Sequence, residues 1–62
     1  MIRALVRALY ASGDLPTKAH AMDVYNLAIT SGEDSVEAVA DAMDFWGFDG
    51  SIAFDMALEI GG

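Results

Sequence analysis

The carboxylates of Asp34, Glu37, Asp41 and Asp44 recur at spacings of three, four and three, which places them on one side of an α-helix. At about 100° per residue they fall within an arc of roughly 80°, in a row about 15 Å long. Neighbours on such a surface lie about 5–6 Å apart. Acids at these distances can transfer protons, hold a cation, or pair with the guanidinium and ammonium groups of a partner. Proton transfer needs a nucleophile, an enclosed pocket or a cofactor motif beside the acids. The chain has no cysteine, no glycine-rich phosphate loop and one histidine, His20. A lone histidine falls short of the three or four ligands of a zinc site. No stretch has the twelve-residue ligand pattern of a calcium loop. The chain therefore reads as no enzyme, with no metal and no cofactor, and ionic recognition is the chemistry left.

The wider charge pattern agrees. From Ala19 onward there are nine acidic side chains and no lysine or arginine, while Arg3, Arg7 and Lys18 all lie earlier. The formal net charge is −7. An ordinary solvated helix face mixes signs and uses i,i+4 Glu–Lys pairs; here like charges repel by a few tenths of a kcal/mol per pair. Asp44 and Glu59 also fall near expected helix C-termini, where the dipole favours lysine. A surface of this kind attracts cationic partners, with an on-rate that falls as salt rises. Its bland alternative is solubility alone. Asp23, Asp55 and Glu59, with Asp49, are placed to widen the row into a patch. Direct nucleic-acid binding is disfavoured for want of a basic surface, and anionic headgroups would repel the chain from a membrane. No apolar run approaches the roughly 20 residues of a bilayer span, and Arg3 and Arg7 interrupt any signal-peptide stretch. Together with the absent cysteines this points to a reducing cytoplasm.

The elements that must position these acids can be read from hydrophobic period and glycine punctuation. Residues 1–62 suit a single acidic domain, near the lower size limit for folding unaided. The 55% apolar content suggests a tight helical core, which a second copy could complete as a homodimer. Ile2, Leu5, Val6, Leu9 and Tyr10 fit one helical face, and Ser12-Gly13 ends it. Asp14 can cap the second helix, with Pro16 expected in its first turn. That helix would pack through Met22, Tyr25 and Ile29, flanked by Ala21, Val24 and Ala28, and stop at Ser31-Gly32. Asp34 and Glu37 have the spacing of a capping box for a third helix. Its buried stripe would be Val36, Val39, Met43 and Trp46, ended by Gly47. Asp49 or Ser51 would cap a fourth, packed through Ala53, Met56, Ala57 and Ile60, with Gly61-Gly62 frayed. Nothing alternates with period two, so the expected fold is all-α, a compact four-helix single domain. Phe48, in a turn, is expected to be the most exposed aromatic, with Trp46 in the core and His20 on the surface.

In size, helical content and acidity, carried by Asp34, Glu37, Asp41, Asp44, Asp55 and Glu59, the whole chain resembles the small acidic anti-CRISPR proteins of phages. Several of these act as DNA mimics, and the nearest comparison is the inhibitors of type I CRISPR effector complexes. The resemblance implies a stoichiometric inhibitor that occupies a basic nucleic-acid-binding groove of an effector subunit and performs no chemistry. A second, local resemblance lies in Gly32-Glu33-Asp34-Ser35-Val36, which is similar to the attachment sequence of acyl carrier proteins. It implies phosphopantetheine on Ser35, at a helix N-terminus that favours anions, with Glu37, Asp41 and Asp44 facing partner enzymes. Ser35 would equally serve as a plain helix cap. A third reading is a helical interaction adaptor that binds through Phe48 and its neighbours.

Overall fold

Three glycines with positive φ, Gly13, Gly32 and Gly47, divide the chain where the sequence places its breaks. The computed structural model describes residues 1–61. It contains α1 (Ile2–Ser12), α2 (Lys18–Thr30), α3 (Val36–Phe45) and α4 (Ser51–Gly61), with no strand among the described residues. The fold is all-α, a single four-helix domain. Gly61 is the last helical residue rather than frayed, and Gly62 lies outside the described residues. No helix among them is long and apolar enough to cross a membrane.

α1 and α3 form the centre: each touches the other three helices, whereas α2 and α4 do not approach each other. The core is built from Leu5 and Leu9 of α1, Val24 of α2 and Val39 and Met43 of α3, all closed off from water. Burying each such side chain contributes about 1.5–3 kcal/mol. Because α3 is surrounded, Ala38, Ala40 and Ala42 are buried alongside its larger residues, and these small side chains let neighbouring helices lie close. Leu15, between α1 and α2, is also fully buried, and its N–H donates to the Leu9 carbonyl at 3.2 Å.

Several expected positions shift, each for a local reason. α2 is capped by Thr17, whose Oγ1 accepts from the His20 N–H at 3.1 Å. Pro16 therefore precedes the helix, and Asp14 accepts from the Ser12 hydroxyl instead. The buried side of α2 is Ala21, Val24 and Ala28; Tyr25 is half-buried, and Met22 and Ile29 are exposed. Ser35, not Asp34, caps α3 by accepting from the Ala38 N–H at 3.3 Å. On α4 only Ala53 is fully buried; Met56 and Ala57 are half-buried and Ile60 is exposed.

The end of α3 inverts the aromatic assignments. The Phe48 N–H donates to the Met43 carbonyl at 2.8 Å and the Gly47 N–H to the Asp44 carbonyl at 3.1 Å. This Schellman pair needs a left-handed residue at Gly47, where φ is 88°, and it folds the following residue back against the helix. Phe48 is thus half-buried against the core, with the His20 ring edge-on at 5.1 Å. Trp46 falls on the cap, out of the buried stripe, and is 47% exposed. It packs edge-on against Phe45, itself 71% exposed.

The chain enters α4 pressed tightly against α3. A Cβ on buried Gly50 would overlap the Ala40 carbonyl oxygen and sit 2.7 Å from Asp44 Oδ1. Backbone cannot yield as a flexible side chain would, so Gly50→Ala should destabilise the fold by about 1–3 kcal/mol. Gly61→Ala meets open space and should stay within about 0.5 kcal/mol. Urea denaturation of the two variants checks the contrast.

Candidate functional site

The Gly50 approach brings the first turn of α4 beside the outer face of α3 and forms a shallow groove of about 490 Å³. Glu37, Asp41 and Asp44 line it from α3, Asp49 from the connecting turn, and Phe54 from α4. Both Glu37 and Asp41 are exposed and enter no hydrogen bond or ion pair among the described residues. Spacing on one helix explains the α3 row; the fourth acid comes from tertiary structure, because the turn carries Asp49 back beside Asp44.

Two acids of the expected row have structural partners. Asp34 Oδ1 accepts from the Ile2 N–H at 3.2 Å and lies 3.6 Å from the Met1 amine. It caps α1 across the fold, because α1 has no side-chain cap of its own, and so stands outside the groove lining. Asp44 Oδ1 accepts from the Gly50 N–H at 2.9 Å. Its place at the C-terminal end of α3, unfavourable for the dipole, is therefore accounted for by the start of α4. Asp49 Oδ1 accepts from the Ser51 hydroxyl at 2.7 Å and from its N–H at 3.1 Å. The hydroxyl first, and then the N–H, hold the Asp49 carboxyl below its ordinary 3.8. The group therefore stays ionised in mildly acidic solution.

The supporting charges do not all converge. Asp55 and Glu59 are exposed on α4 but outside the groove lining, and Asp23 is half-buried on α2, which does not approach α4. Ser35 is half-buried, with its oxygen committed to the α3 cap. Among the described residues, no three acidic or histidine side chains are grouped to hold a metal ion.

The one ion pair among the described residues is that of Asp34 with the Met1 amine, so Arg3, Arg7 and Lys18 neutralise none of the groove acids. Beside the carboxylates an apolar ridge continues along α4. Phe54 is 46% and Leu58 75% exposed, and with Val36 and Ala57 they line an adjoining groove. Sequence periodicity missed this ridge because Phe54 and Leu58 lie on the solvent side of α4. Their i,i+4 spacing was the available signal. Comparisons with protein-family models, curated proteins and solved structures found no match.

The two classes of acid separate by mutation. Asp44→Ala should lower stability by about 1 kcal/mol, as loss of a helix cap does. Glu37→Gln and Asp41→Asn should change it by no more than about 0.5 kcal/mol, all measured by chemical denaturation at neutral pH. For Asp49 the folded carboxyl titrates below the unfolded one, so its contribution is full well above 3.8 and disappears as the pH falls through the lowered value. The stability difference between the native chain and Asp49→Ala should accordingly shrink on acidification, in thermal melts recorded as a pH series.

Proposed function

We propose that the α3–α4 face is a docking surface for a basic, nucleic-acid-binding groove of another protein, and that the chain acts there as a stoichiometric inhibitor. The supporting observation is the groove itself: Glu37, Asp41, Asp44 and Asp49 line it together with Phe54, and none of them is in an ion pair among the described residues. Proteins that hold duplex DNA present lysines and arginines spaced to meet successive phosphates. Carboxylates fixed several ångströms apart on a rigid helix can meet the same cations. Glu37 and Asp41 supply charge free of structural duties, and Asp44 and Asp49 are held in place by their N–H bonds.

The mechanism is competition without chemistry. The net charge of −7 steers encounter with a cationic groove. Carboxylate–Arg and carboxylate–Lys pairs then form at short range, and the Phe54–Leu58 ridge covers the aliphatic stems and apolar floor between them. Nucleic acid is excluded because the inhibitor occupies the cations it needs. On this reading the partner is a nucleic-acid-binding effector subunit in a bacterial host, of the kind that anti-CRISPR proteins block, and no cofactor is required. The Ser35 hydroxyl already caps α3, a role that calls for no prosthetic group.

The test is displacement. Protein captured from bacterial lysate on the immobilised chain, and eluted with salt, should bind labelled duplex DNA. Added chain should release that DNA at a one-to-one ratio in fluorescence anisotropy. Glu37→Lys with Asp41→Lys should weaken displacement at least about tenfold, a change of roughly 1.4 kcal/mol, with helicity by circular dichroism retained. Equal potency of that variant, or a partner that keeps its DNA while bound, would defeat the proposal.

A further inference from the structure

The chain's three basic residues, Arg3, Arg7 and Lys18, all line a single groove of about 520 Å³ between α1 and α2. It shares no lining residue with the carboxylate groove. None of the three cations pairs with a carboxylate among the described residues, although the chain carries ten acids. Helix stability does not account for the placement of Arg3 and Lys18 either. Arg3 lies in the first turn of α1 and Lys18 opens α2, at the dipole ends that disfavour cations, and neither first turn holds an acid.

Inside this cationic rim the groove is apolar. Buried Val6 and Ala21, exposed Met22, and Tyr10 and Tyr25 line it together with the cations. An apolar lining beside unpaired cations matches a ligand with an apolar body and an anionic head. The volume lies within the roughly 300–1,000 Å³ of small-molecule sites.

The charge of the whole chain selects among anions. Nucleic acid, an acidic protein, an anionic bilayer and a second copy of this chain each bring many negative charges towards a molecule of net charge −7. A small ion with one charge avoids most of that repulsion, and at contact it meets the rim cations within a Debye length of about 8 Å. Arg3 and Arg7, one turn apart on α1, can offer guanidinium forks to its oxygens.

We propose that the α1–α2 groove binds a small, freely dissolved amphiphilic anion. Its apolar body lies on Val6, Ala21 and Met22, and its oxyanion head lies among Arg3, Arg7 and Lys18. The site is independent of the α3–α4 face, so failure of either reading leaves the other standing.

Backbone amide NMR of the ¹⁵N-labelled chain, titrated with decanoate below its aggregation concentration, tests this. Saturable shifts should map to α1 and the first half of α2. Decyltrimethylammonium and decyl maltoside should not reproduce them. Arg7→Gln with Lys18→Gln, and separately Met22→Glu, should each weaken decanoate binding at least about tenfold while keeping a native spectrum. The proposal is overturned by an absence of decanoate shifts, by equal binding of the cationic or neutral amphiphile, or by shifts centred on Phe54 and Leu58. Unchanged affinity in both variants also overturns it. So does preference of the groove for oligo(dT), for phosphatidylglycerol vesicles or for a second copy, seen as concentration-dependent association.

Discussion

The approach of α4 to α3 at Gly50 is the constraint on which the acidic face depends. Gly50 is buried against the Ala40 carbonyl, and its N–H is held by Asp44. A residue with a Cβ would force the helices apart at the point where Asp49 and Phe54 are brought beside Glu37 and Asp41. The alanines of α3 serve the same end, since larger side chains at Ala40 or Ala42 would leave no room for neighbouring helices. Packing that looks purely structural thus determines whether four carboxylates form a surface or merely a row.

Charge segregation is the second organising fact, and its cause lies in the topology. Arg3, Arg7 and Lys18 belong to α1 and the start of α2, while the groove acids belong to α3 and the turn before α4. Although α1 and α2 both pack against α3, the cations line a groove that shares no residue with the acidic one, and none of them pairs with a groove acid among the described residues. Stability then rests on apolar burial and capping, with Thr17, Ser35, Asp34, Asp44 and Asp49 satisfying orphan N–H groups. Exposed carboxylates unconnected to that network are free to serve a partner.

The helices and their stops were legible because glycine at φ near 90° and 3.6-residue periodicity are local signals. Caps were less so. Asp14 and Thr17, or Asp34 and Ser35, are nearby residues of similar capping strength: Asp14 is taken up locally by the Ser12 hydroxyl, whereas a distant contact draws Asp34 to α1 and leaves α3 to Ser35. Leu15 escaped notice because a loop has no period, and the exchange of Trp46 and Phe48 follows from a Schellman turn that ends the stripe early. Of the candidate site, Glu37, Asp41 and Asp44 could be grouped from spacing. The addition of Asp49, the diversion of Asp34 and the separate position of Asp23 depend on how helices pack, which one sequence does not encode locally.

The claim at the centre of this account is that one face, built by α3 and the start of α4, takes the place of nucleic acid on a cationic protein groove. Amide hydrogen exchange of the chain in complex with its captured partner measures this most directly. The account predicts slowed exchange concentrated in residues 37–45 and 49–55, reversed when excess duplex DNA is added. Protection confined to α1 and α2, or protection that duplex DNA leaves untouched, would contradict it.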